Sequence, residues 1–253
     1  FSSRRRHTRY ISVTGVQTCA LPISIDIVSE NPLIEQHFEN QSNFADVVLT
    51  QINTDRFYDM MFEDEQDLTI LDIGGNIGLF SLYVQDTAKT VYTLEPTPSH
   101  FEILKELTAG YPNIQPLNIA LHNCDEEIDF WISKNNSTMN SSVNRYGTKI
   151  KVKGKTLATI VKDLGLEHVD FVKCDIEGSE MAAITDETVA AVKDIVDCWF
   201  IEVHQTEQGM TWENSLSKNK KIISDIFKRQ GYGVQELRFD SLYIYKEADA
   251  SNT

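Results

Sequence analysis

No apolar run in this 253-residue chain approaches the ~20 residues that a helix needs to cross a bilayer, so no membrane span is expected. Basic residues are scarce: 23 Lys and Arg stand against 38 Asp and Glu, a net charge of −15. A nucleic-acid surface needs clustered Lys and Arg to meet phosphates, so nucleic acid is not an expected partner. Cysteine is limited to Cys19, Cys124, Cys174 and Cys198, with no C-x-x-C pair to hold zinc or to cycle as a dithiol. Cys174 and Cys198 fall in apolar runs, where a free thiol acts as a small core filler. Unpaired thiols suit a reducing compartment, and a cytoplasmic location is expected. There is also no internal repeat. The 41% of hydrophobic residues are enough for one core of ordinary size.

The chain changes character near Ile25. Phe1 to Ser24 contains no acidic residue, has neither helical nor strand periodicity, and carries four of the chain's arginines. Its string resembles translated sequencing-adapter DNA and is expected to be non-native. No continuous apolar stretch follows the arginines, which disfavours a signal peptide. Residues 25–66 place Ile34, Phe38, Phe57, Met61 and Phe62 at roughly helical spacing and are read as a helical or irregular cap. Residues 67–247 are expected to form the main domain, and 248–253 a disordered tail.

What the chain does have is concentrated between Leu68 and Val84. An apolar run ends in Asp72, a glycine-rich turn follows, and a second apolar stretch opens at once. That order predicts a buried strand, a tight loop and the first turn of a helix, the place where open α/β sheets bind nucleotides. The next apolar run, Thr90 to Leu94, ends in Glu95. The spacing is not the dinucleotide fingerprint G-x-G-x-x-G: with Gly74 as its first glycine, the second and third would fall on Asn76 and Leu79. Asp72 works against a phosphate and suits a cationic ligand, such as the ammonium and sulfonium of S-adenosylmethionine. Glu95 suits the two ribose hydroxyls. The expected cofactor contacts are Asp72, Gly74, Gly75, Asn76, Gly78 and Glu95.

From Leu68 onward strands and helices alternate, which predicts a parallel, doubly wound α/β sheet. Strands are expected at Ile114–Asn118, Ile128–Ile132, Ile150–Val152, Val169–Cys174 and Asp197–Val203. Helices are expected from Pro96 to Thr108, Thr156 to Leu164, Gly178 to Val192 and Asn219 to Arg229. Val234–Leu237 and Leu242–Tyr245 should form a closing pair. The Ser/Asn-rich stretch from Ser133 to Asn144 has no periodicity and reads as a flexible loop near the substrate.

The segment Asp72-Ile-Gly-Gly-Asn-Ile-Gly78, with Leu94-Glu95-Pro96, Phe101 and Ala120-Leu121, resembles the cofactor half of S-adenosylmethionine-dependent methyltransferases. Val169-Asp-Phe-Val-Lys-Cys-Asp-Ile-Glu-Gly-Ser-Glu180 resembles the hallmark of the FkbM-type members. The likeness runs from about Leu68 to His204. It implies a Rossmann-like fold with a mostly parallel seven-stranded sheet, helices on both faces and a C-terminal antiparallel hairpin. It also implies S-adenosylmethionine as cofactor, with Ala120 near the adenine, and O-methylation of a sugar, glycan or polyketide-like natural product.

Two strand ends carry the reactive groups. Lys173, Asp175, Glu177 and Glu180 end one, and Glu202 and His204 end another. If these strands are neighbours, the alternation of side chains brings Asp175, Glu177, Glu202 and His204 together beside the cofactor. Moving a methyl group to oxygen requires alignment of the acceptor and a group to take its proton. His204 is the first candidate base because an ordinary imidazole titrates near working pH, with Glu177 beside it and Asp175 second, the alternative for Asp175 being a cofactor contact that holds the ammonium or a group that orients the acceptor hydroxyl. No motif requires a metal, and none is expected. A nicotinamide-dependent oxidoreductase and a catalytically silent cofactor-binding module are the competing readings. The acceptor's identity and the oligomeric state stay open.

Overall fold

The computed structural model describes residues 62, 66–133, 140–143, 147–206 and 211–247. The segments expected at 1–24 and 248–253, nearly all of the cap at 25–66 and most of the Ser133–Asn144 loop lie outside the described residues.

The chain builds one seven-stranded sheet from β1 (Leu68–Ile73), β2 (Ala88–Leu94), β3 (Ile114–Leu117), β7 (Val169–Cys174), β8 (Val196–Glu202), β9 (Tyr232–Arg238) and β10 (Ser241–Lys246). Their order across the sheet is β3-β2-β1-β7-β8-β10-β9. The first five run parallel, while β10 pairs antiparallel with both β8 and β9. The chain winds outward from β1 to β3, then returns to the other side of β1 at β7. The switch point therefore lies between β1 and β7, the position at which open α/β sheets bind ligands beyond their strand ends. A separate three-stranded sheet is formed by β4 (Ala120–Leu121), β6 (Thr148–Lys155) and β5 (Glu127–Ile132).

Helices α1 (Leu79–Val84), α2 (Pro98–Thr108), α3 (Leu157–Asp163), α4 (Glu180–Ala183), α5 (Asp186–Val192) and α6 (Trp212–Arg229) complete the described elements. Strand alternation divides the core between the two sheet faces. Leu71, Ile73, Val172, Trp199 and Ile201 pack with Ile160, Val189, Ile223 and Phe227 on one face. Ile70, Val91, Phe171 and Phe200 pack with Leu79, Phe80, Leu82 and Leu107 on the other. Phe62, one residue of the expected cap, sets its ring edge-on to Phe171, 5.0 Å between centroids.

Three expectations need correction. The helix expected from Gly178 to Val192 is two helices, because Ile184 is extended and Thr185 starts a new helix by accepting the Thr188 N–H. The helix expected at Asn219 starts at Trp212, where Thr211 caps it and accepts the Asn214 N–H. Strand β6 is eight residues long rather than three, since cross-strand pairing with β5 extends it through its lysines.

Candidate functional site at the switch point

The loop after β1 is held in place by its own protein neighbours. Gly74 has φ +82, and a Cβ there would lie 1.8 Å from the Asp175 carbonyl oxygen. Only glycine combines that left-handed backbone with so close an approach. Asn76 is also left-handed at φ 51, and Gly78 at φ +91 begins α1. The N–H groups of Gly74 and Gly75 both donate to the Leu94 carbonyl at 3.0 and 2.9 Å. The glycines therefore serve packing against β2 and β7 first, not only close approach to a ligand.

Asp72 is fully buried beneath this loop. The Ser81 hydroxyl donates to its Oδ2 at 2.6 Å and is itself 2.6 Å from the Thr93 hydroxyl. Oδ1 has no hydrogen-bond partner, and the Lys173 ammonium stands 3.9 Å from it. Burial raises the Asp72 pKa, and Lys173 opposes the rise. The direct contact to a ligand's ammonium expected for Asp72 is thus not available as placed.

Glu95, immediately beyond β2, is also buried. Its Oε2 accepts the Asn76 N–H at 3.0 Å and its Oε1 the Thr97 N–H at 2.7 Å, with His100 Nδ1 3.9 Å from Oε1. Burial pushes its pKa up to about 7, against these hydrogen bonds. Each carboxylate oxygen keeps a second lone pair for a further donor. Asn118 clips the neighbouring strand end by donating to the Glu95 carbonyl at 2.8 Å. Ala120 is buried with Ile128, Phe130 and Val152 under the small sheet, so its methyl has a packing role.

The second group of acids converges because β7 and β8 pair in parallel. Asp72 and Lys173 are register partners across β1 and β7, and Lys173 lies opposite Phe200 on β8. Lys173 Nζ is 3.3 Å from Asp175 Oδ2. His204 Nδ1 lies 3.0 Å from Glu180 Oε1, and its Nε2 lies 3.5 Å from Glu177 Oε2 and 3.8 Å from Asp175 Oδ1. Glu180 is fully buried, and its Oε1 also accepts the Ile176 N–H at 3.0 Å. Glu177 takes a left-handed backbone at φ 53, which turns it into the cluster.

These contacts change the role expected of His204. Burial disfavours the imidazolium, but Glu180, by charge and by hydrogen bond, together with Asp175 and Glu177, outweighs it and holds the pKa at about 11. An imidazole so surrounded keeps its proton at neutral pH, so the ordinary titration that marked it as the first base does not apply. Burial pushes Glu177 to about 8 against the pull of His204, with Asp175 adding to the rise. Glu202 is likewise pushed to about 8 by burial and then by Asp175. Asp175, Glu202 and His204 offer three ligand atoms within 4.8 Å of one another, a set that would hold a cation only with His204 deprotonated. Sequence reasoning passed over Ser81, Thr97, Asn140 and Ser179. Ser81 alone left a trace there, as the lone small hydroxyl in the apolar run Leu79–Val84.

The methyltransferase FkbM domain matches residues 72–234. The chain is 25% identical over 243 residues to the AMB antimetabolite synthetase AmbE of Pseudomonas aeruginosa, covering 75% of this chain and 11% of that protein. It is 26% identical over 177 residues to the methyltransferase sdnD of Sordaria araneosa, covering 55% of this chain and 68% of the relative. The chain thus spans only a small part of the synthetase. Among solved structures, a methyltransferase FkbM from Methylobacillus flagellatus superposes with a TM-score of 0.45 at 17% identity, covering 72% of this chain and 44% of that one. The match runs from Asp72, near the end of β1, to Val234 in β9 and takes in the ends of β1, β2, β7 and β8, and with it the chain belongs to the methyltransferase FkbM domain family.

Proposed function

We propose that the chain is an S-adenosylmethionine-dependent O-methyltransferase acting on a hydroxyl of a sugar or natural product. The observation that carries this reading is an acid at or beside each of three adjoining strand ends, Glu95, Asp72 and Asp175, around a loop whose glycines leave no room for a Cβ. The residues fit that cofactor: buried carboxylates favour a cation, and Glu95 retains lone pairs for ribose hydroxyls. Glu95 and the Gly74–Gly78 loop would hold the nucleoside, with Asn76 and Ala120 beside it, and Asp175 would face the amino-acid end. Asp72 would add negative potential from below.

S-adenosylmethionine, when bound, supplies an electrophilic methyl group on a sulfonium. An acceptor hydroxyl taking up that methyl would have to shed its proton. This chain's task is then to align the acceptor and receive its proton. Asp175 and Glu177 are the proposed bases, with Glu177 well matched because its pKa lies near working pH. His204, charged and held by Glu180, is the proposed positioning group that keeps these carboxylates at the reacting edge.

Calorimetry with S-adenosylhomocysteine and with NAD tests the cofactor. S-adenosylhomocysteine should bind more tightly, and Glu95→Ala should weaken it by about 1–3 kcal/mol through lost hydrogen bonds. Preference for NAD would overturn the reading, and unchanged affinity in the variant would remove Glu95 from the site. Release of S-adenosylhomocysteine with a panel of glycan and polyketide hydroxyl acceptors tests turnover. Silence across the panel in a sample that binds cofactor would favour a binding module.

A further inference from the structure

Residues 140–143 are tied to both sides of the switch-point crevice. Asn140 Nδ2 donates to the Thr97 hydroxyl at 3.3 Å, just beyond β2. Ser179, at the start of α4 beyond β7, receives the Ser142 N–H at 3.3 Å, and its hydroxyl lies 2.7 Å from that of Ser142 and 3.3 Å from that of Ser141. Asn140 holds the first anchor, and its next two neighbours, Ser141 and Ser142, hold the second. Thr97 follows β2 and Ser179 follows β7, the two sheet neighbours of β1, so the segment joins the loops on either side of the β1 end that carries the glycine loop.

This segment is no loose surface turn. Asn140 and Ser141 are buried, and Ser141 exchanges two backbone hydrogen bonds with Trp131 on β5. Asn140 Oδ1 accepts the Ser133 N–H at 2.9 Å. Each anchor also adjoins a placed acid. The Thr97 N–H donates to Glu95, and Ser179 precedes Glu180, which holds His204.

We infer that Asn140 and Ser179 are positioning residues that latch residues 140–143 as a strap across the crevice, and that this strap sets the rate at which the nucleoside cofactor enters and leaves. The inference rests on the cofactor reading above. A ligand under the strap is released only when a latch opens, and the same opening admits the next one. A latch that touches no ligand changes both rates together and leaves affinity nearly alone.

Stopped-flow binding of S-adenosylhomocysteine to the full chain tests it, with Asn140→Ala, Ser179→Ala and the conservative Ser179→Thr. The two alanine variants should raise association and dissociation rates together by about five- to tenfold, with Kd within about threefold. Ser179→Thr keeps the hydroxyl and should retain slow exchange. Two alanine variants guard against one of them failing to fold, which thermal unfolding would reveal. Unchanged rates in folded variants would overturn the strap. So would weaker affinity arising from dissociation alone, because that is the signature of direct ligand contact. Absence of S-adenosylhomocysteine binding in the unaltered chain would overturn the cofactor reading and the strap with it. Binding with unaltered exchange would overturn the strap alone.

Discussion

At the scale of single residues, the glycine loop shows how backbone demands and ligand demands coincide. Gly74 stands in a left-handed conformation against the Asp175 carbonyl, so a methyl group there must move the end of β7. Gly110, after α2, has nothing within 4 Å of an added Cβ. Gly74→Ala should therefore destabilise the fold by about 2 kcal/mol or more, from the strained backbone alone. Gly110→Ala should stay within about 0.5 kcal/mol of the parent. Urea unfolding of the two variants side by side measures the difference. Equal stabilities would mean that the loop does not pack on β7 as described. The same residue scale explains what the sequence could not reveal about His204. Its place beside Asp175 and Glu177 followed from strand alternation, but its charge state depends on Glu180, which reaches it from the next helix at 3.0 Å.

At the scale of elements, legibility followed periodicity. Val169–Cys174 and the start of β1 were readable because an unbroken apolar run bounded by polar residues has one good solution, a strand buried on both faces. The parallel neighbours of β7 were legible only as a condition, since pairing is decided by long-range contacts. The break between α4 and α5 was hidden because Ile184 and Thr185 continue a sequence that local propensity allows to be helical. What separates the two helices is a cap: the Thr185 hydroxyl accepts the Thr188 N–H at 3.2 Å. Thr185→Ala should cost about 1 kcal/mol, the usual worth of such a cap, and leave S-adenosylhomocysteine affinity unchanged. Chemical denaturation with a binding isotherm checks both parts. A loss above about 3 kcal/mol would show that the turn carries more than a cap. The residues anchoring the strap had no local signal at all, because Thr97, Asn140 and Ser179 meet only once the sheet has formed.

At the scale of the whole molecule, acids gathered at one sheet edge set how stability depends on pH. Glu95 is raised to about 7, Glu177 and Glu202 to about 8, and His204 to about 11. Each folded-state value lies above its unfolded one, so between them the folded chain holds more protons than the unfolded chain. Their contribution is complete below about pH 4.5 for the carboxyls and about 6.5 for the imidazole. It is lost as pH rises through 7, 8 and then 11. Asp125, Asp129, Asp186 and Asp225 act oppositely, since hydrogen bonds hold their pKa values down and their support fades only in stronger acid. The net charge of −15 adds self-repulsion on the alkaline side. Unfolding free energy should therefore peak on the acid side of neutrality, near about pH 5, and decline toward pH 9 by about 1.4 kcal/mol per pH unit for each proton retained. Urea unfolding across that range measures the limb, and Glu177→Gln with Glu202→Gln should flatten it by removing two of the raised groups. A flat profile in the parent between pH 5 and 9 would mean that the carboxylates do not share one buried edge, and the site built on their convergence would go with it.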